Sequence, residues 1–126
     1  MTILIIVTYK IDFSNEIIKY FKSQNMCNSY KFSFLPVGLD QGPKQEIIDN
    51  INKKLNNYKS LKTVVIFSDA GLPVKLAKRI KIKDPNVKLF RSKSSLIENG
   101  FLAYIMLNTH APIETIEKVM DEKIEK

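Results

Sequence analysis

A chain of 126 residues, 44% hydrophobic and 26% charged, is the size of one globular domain that buries roughly 65–70% of its unfolded surface. Cys27 is the only cysteine, which excludes an intramolecular disulfide and a cysteine-based metal site and suits a reducing, cytoplasmic setting. The net charge of +7 raises the question of nucleic acid, yet only Arg79 and Arg91 are arginine and the lysines are spread along the chain. Specific phosphate and base readout favours arginine's planar fork, so nucleic acid is not the first reading. Abundant Lys, Ile and Asn is also what an AT-rich coding genome produces.

Residues 3–7 are an unbroken apolar run that turns polar at Thr8, Tyr9 and Lys10, the pattern of a strand buried on both faces. The run is too short to cross a membrane and lacks a basic leader, so neither a span nor a signal peptide is expected. Over residues 12–23, Phe13, Ile17, Ile18 and Phe21 recur at helical spacing, with Asp12 or Ser14 placed to cap. Residues 30–37 read as a second strand, followed by the turn GLDQGP. Ile47, Ile48, Ile51 and Leu55 make residues 44–57 an amphipathic helix.

TVVIFSD, residues 63–69, is the strongest strand pattern in the chain. A helix follows Gly71, with Pro73 in its first turn and Val74, Leu76, Ala77 and Ile80 facing inward. NVKLFR, residues 86–91, is a fourth strand; residues 98–107 form a strongly apolar helix and residues 112–126 a last amphipathic one. The order β-α-β-α-β-α-β-α-α predicts a single α/β domain over residues 1–126. Its doubly wound, mostly parallel four-stranded sheet carries helices on both faces and an extra C-terminal helix.

Functional groups in such folds gather at the carboxyl ends of the strands. That edge holds Thr8–Lys10, residues 38–42, residues 68–72 and residues 92–95. With four glycines and neither GxxxxGK[ST] nor GxGxxG, the chain offers no nucleotide-binding loop, and no cofactor is expected. Asp69 ends a strand just before Ala70 and Gly71. Its simplest role is to cap the following helix, and it could also orient a side chain from the Tyr9 loop. Glu98 completes a capping box with Ser95. His110 lies beyond a helix that starts at the carboxyl edge and runs roughly 20 Å away from it, on the wrong side for the crevice.

Four stretches together resemble one family: ILIIVTYK, GLDQGPKQEIIDNI, VVIFSDAG and SLIENGFLAYIMLNTHAPIETIEKVM. It is the phosphoryl-donor subunit of the phosphotransferase-dependent dihydroxyacetone kinase, itself similar to the mannose-type enzyme IIA domains. The resemblance spans nearly the whole chain, in matching order. It implies a doubly wound α/β domain, usually dimeric. In the family a histidine after the first strand takes a phosphoryl group from the carrier HPr and passes it to a kinase or sugar-transport partner. That histidine's place is held here by Tyr9. The resemblance matches Asp69 and Gly71 to the family's Asp-x-Gly run, and Leu96-Ile97-Glu98 to a Leu-Val-Glu-like run. Gly42-Pro43-Lys44 stands for its phosphate-proximal turn, and Leu72 stands where a small polar residue is usual.

The departures all fall at the crevice, while the core-forming segments are kept. A phosphotyrosine ester holds its phosphoryl group too firmly for a relay, and a phenol is a poor nucleophile in neutral solution. The expectation is therefore a degenerate relay domain acting as a binding or regulatory module. HPr-like and kinase-like partners and a homodimer follow from the resemblance. An active carrier using another residue and a basic polyanion-binding module are the alternatives. At the crevice, the Tyr9 hydroxyl is expected to donate to the Asp69 carboxylate, with Lys10 and Lys44 ringing an anion pocket that includes Gly42, Gly71 and Leu72. The alternative is a Tyr9 that folds over the crevice and plugs it, with Asp69 capping its helix independently.

Overall fold

The computed structural model describes residues 2–23, 32–58 and 60–91. Strand β1 (Thr2–Thr8) is followed by helix α1 (Ile11–Ser23), β2 (Phe32–Gly38), one 3-10 turn (Leu39–Gln41) and α2 (Lys44–Asn56). Then come β3 (Thr63–Ser68), α3 (Leu72–Ala77) and β4 (Lys88–Arg91). The four strands form one all-parallel sheet in the order β2-β1-β3-β4. The α/β, doubly wound reading is what the fold shows.

Every residue of β1 and β3 is buried, which explains why both read as continuous apolar runs instead of alternating ones. Successive side chains serve opposite faces. On one face Ile3, Ile5, Val7, Val37, Val64 and Ile66 form a single cluster with Ile47, Ile48, Ile51 and Leu55 of α2 and with Leu76, Ala77 and Ile80. On the other, α1 supplies Ile17, Ile18 and Phe21, whose ring lies 6.2 Å from that of Phe34. Each fully buried aliphatic side chain contributes about 1.5–3 kcal/mol, so this double-sided core dominates the stability. Pro36 sits opposite Ile6 on β2, an edge strand, where a missing N–H costs least.

Three sequence expectations are corrected. Phe13 is 45% exposed, and the fully buried Ser14 takes the inward place in its turn. Neither Asp12 nor Ser14 caps α1; the first helical N–H, that of Ile11, is bound by Asp40 Oδ1 at 2.9 Å from the turn after β2. Helix α3 stops at Ala77, and Ile80 reaches the core from the turn beyond it. That turn is closed by Arg79 N–H on Leu76 O (3.0 Å) and Ile80 N–H on Ala77 O (3.2 Å). Arg91 then reaches back to Ala77 O (Nε, 3.2 Å), which so accepts a second hydrogen bond, and to Ile80 O (Nη2, 2.6 Å), tying the turn to β4. The expected start of β2 at Tyr30, the two C-terminal helices, Cys27, Glu98 and His110 lie outside the described residues. Among the described residues no helix is long and apolar enough to cross a membrane.

Candidate functional site

Because β1 pairs with β2 on one side and β3 on the other, the chain reverses its direction across the sheet between β1 and β3. Ligand crevices of doubly wound sheets open outside the carboxyl ends of the strands at such a point. The rim here is built from the bottom by hydroxyl groups. Thr8 and Ser14 are both fully buried, their oxygens 2.7 Å apart, and the Thr8 hydroxyl donates to Lys10 O at 2.6 Å. Ser14 Oγ also lies 2.9 Å from Val37 O and 3.1 Å from Ile6 O. This cluster pins the start of α1 to the ends of β1 and β2. Gly38 permits the approach, since a Cβ there would run into Ile11 N and Asp40 Oδ1.

Tyr9 crosses the switch point. Its hydroxyl donates to Ala70 O at 2.9 Å and lies 3.4 Å from the N–H of Leu72. Gly71, at φ +90°, passes directly beneath; a Cβ there would collide with the Tyr9 hydroxyl. The glycine is needed twice, for a backbone angle that other residues rarely adopt and for the space. Tyr9 is therefore a bar across the crevice, anchored on the far loop. The plugging alternative describes the place of Tyr9 but not that of Asp69, which does not cap α3.

The expected Tyr9–Asp69 hydrogen bond does not form. Asp69 Oδ1 accepts the N–H of Ala70 at 3.0 Å, and the Asp69 N–H continues the ladder to Val7 O at 2.9 Å. The short side chain folds back on its own loop, which leaves Ala70 O to take the phenol proton. Nor does Asp69 cap α3: the N-cap is Gly71, with no side-chain cap. Leu72 is 41% exposed at the first position of α3, beside the Tyr9 hydroxyl through its N–H. Lys10, Gly42 and Lys44 are exposed, and among the described residues no hydrogen bond or ion pair joins Lys10 or Lys44 to Tyr9 or Asp69. Gly42, at φ +141°, leads through Pro43 into α2. So the structure brings Tyr9, Gly71 and Leu72 into contact. Asp69 is placed on the same loop but facing its own backbone, and the side chains of Lys10 and Lys44 make no hydrogen bond or ion pair with Tyr9 or Asp69 among the described residues. Among the described residues no group of three or more His, Cys, Asp or Glu could hold a metal ion.

Asp40 is the site residue missed in the sequence. Besides holding Ile11 N–H, its own N–H donates to Tyr9 O at 3.2 Å, so it fixes the backbone from which the Tyr9 ring departs. Its signal was present in GLDQGP, but a turn aspartate gives no hint of which helix it will serve 29 residues back along the chain.

Fold and site together define a doubly wound α/β domain whose switch-point crevice is barred by a tyrosine. No protein-family profile matches the chain, and no curated protein matches it. Among solved structures it is similar to the crystal structure of a protein of unknown function, EF1359. The two share 17% identity at a TM-score of 0.71, over 93% of this chain and 90% of the other. That likeness supports the fold.

Proposed function

We propose that the chain is a domain of the phosphotransferase type, of the kind found in the phosphoryl-donor subunit of dihydroxyacetone kinase and in mannose-type enzyme IIA. Its relay site is closed, and it serves as a binding or regulatory module. The observation that carries this reading is Tyr9, which stands where the relay needs an imidazole and spends its hydroxyl on Ala70 O. A relay nucleophile must have a free lone pair aimed into the crevice and must form a bond to phosphorus that breaks readily again. Tyr9 meets neither requirement. The buried β1 and the glycine turn at Gly71, which a relay domain of this kind would also use, support the reading. Selection for docking preserves a surface without preserving its chemistry. The partners that suit this reading are an HPr-like carrier and a kinase-like subunit, meeting a homodimer at the carboxyl edge.

Incubation with phosphoenolpyruvate, enzyme I and HPr tests the closed relay: no acid-labile label should appear on the protein. Acid-labile label on the wild-type chain would overturn it. A pull-down with a dihydroxyacetone-kinase-type subunit tests the docking, and wild-type protein should retain it.

A further inference from the structure

Helix α2 shows three sides. Ile47, Ile48, Ile51 and Leu55 are buried against the sheet. One flank serves the connector from α3 to β4. Gln45 Oε1 accepts from Arg79 Nη2 at 2.6 Å, and Asn52 Oδ1 and Asn56 Oδ1 accept the N–H groups of Lys81 and Lys83 at 3.2 and 3.4 Å. The opposite flank carries Glu46, Asn50 and Lys54, spaced four residues apart and so aligned in one row. All three are exposed, and among the described residues their side chains make no hydrogen bond or ion pair.

This row borders a hollow of about 100 Å³ between α2 and β2, an edge strand of the sheet. Leu35, Pro36, Val37, Ile47 and Ile51 give it apolar walls. A second hollow shares Lys54 with the first and holds Tyr58, 43% exposed. Apolar surface thus accompanies the uncommitted flank along its length. Pro36 has no N–H, and a proline on an edge strand counts against the addition of a further strand. The occupant that suits the hollow is a helix laid alongside α2.

From the amino to the carboxyl end, the row reads acid, amide, lysine. The helix dipole by itself favours this placing of the two charges, but it does not account for the apolar hollow beside them. Turned end for end about Asn50, the row is its own complement. Glu46 of one helix faces the partner's Lys54, Lys54 faces the partner's Glu46, and the two amides meet on a two-fold axis. Both charges lie about 6 Å from Asn50 along the helix, so the two pairs form in one register. We propose that the chain pairs with a second copy of itself through this flank of α2, helices antiparallel, closing the hollows beside β2. Exposed ion pairs contribute little attraction and mainly select partner and orientation. Burial of the apolar walls and of Tyr58 supplies the attraction, with the stem of each Lys54 laid across the partner's hollow. This pairing gives a face to the homodimer of the function proposed above. Neither Tyr9 nor Asp69 takes part, so it does not rest on the relay reading.

Sedimentation velocity of the full chain at roughly 1–100 μM tests the pairing, and wild-type protein should show a dimer. Glu46→Lys and Lys54→Glu, each alone, should raise the dissociation constant roughly tenfold or more, because like charges then meet at both contacts. Lys54→Glu lowers the net charge of +7 by two, so relief of overall repulsion would produce the opposite change. An equimolar mixture of the two variants should associate within about threefold of wild-type affinity, since both contacts in the mixed pair are again of opposite charge. That recovery also shows that both variants are folded. A monomeric wild type, a dimer indifferent to both single changes, or a mixture no tighter than its components overturns the inference.

Discussion

The Tyr9 hydroxyl rests over Gly71, with its proton on the carbonyl of Ala70 and the N–H of Leu72 3.4 Å away. One phenol thus joins the loop after β1 to the loop after β3 across the point where the sheet changes direction.

Tyr9 and Gly71 are predicted to be energetically coupled. Gly71→Ala should cost about 2 kcal/mol or more, from the collision with the hydroxyl and from backbone strain at φ +90°. Tyr9→Phe alone should cost under about 1 kcal/mol, because its hydrogen bonds are exposed. The double variant should be more stable than the sum implies by about 1 kcal/mol, as removal of the hydroxyl relieves the clash. Urea denaturation of the four proteins measures this cycle. Simple additivity would mean that the ring swings clear freely and does not bar the crevice.

Tyr9→His is predicted to gain acid-labile label from phosphorylated HPr, and Tyr9→Phe to gain none. On the relay reading proposed above, the imidazole would supply the nucleophile that Tyr9 does not, beside the Gly71 loop. If Tyr9→His stays unlabelled, the crevice does not support phosphoryl transfer even with an imidazole in place, and the relay kinship proposed above loses this support.

Asp40 and Asp12 should separate sharply under mutation. Asp40→Ala removes the acceptor for Ile11 N–H and should cost about 1 kcal/mol. Asp12→Ala, which touches no cap, should fall within about 0.5 kcal/mol of wild type. Chemical denaturation midpoints at unchanged slope give both values. A reversed order would restore the local cap expected from the sequence.

Ser14→Ala should destabilise by about 1–3 kcal/mol, since it strips a fully buried hydroxyl from contacts with Thr8, Ile6 and Val37. Thr8→Val in the same background should add less than it does alone, because the two hydroxyls share one cluster. Full additivity in thermal or chemical unfolding would contradict that sharing.

Elements with strong hydrophobic periodicity were legible in the sequence. The runs at residues 3–7 and 63–68 could only be strands buried on both faces, and Ile47, Ile48, Ile51 and Leu55 had to share one side of a helix. From these the parallel order and the crevice position followed. What stayed hidden was polar and distant. Asp40 serves a helix 29 residues away, and Asn52 and Asn56 bind backbone N–H groups 29 and 27 residues away; no local pattern marks such partners. Asp69 misled for the opposite reason. Its nearest donor was its own neighbour, and proximity along the chain won over both the helix cap and Tyr9.

The bar across the crevice also bears on the order of folding. The Ile11–Asp40 bond closes a loop of 29 residues, whereas the Tyr9–Ala70 bond spans 61. A contact that joins such distant segments forms only after β3 has docked beside β1, because loop closure must come before any reward for it. Of the two contacts, the Tyr9 latch is therefore the one that depends on the whole β1–β3 pairing. The latch over the mouth of the sheet is thus set by the third strand, not by the first two.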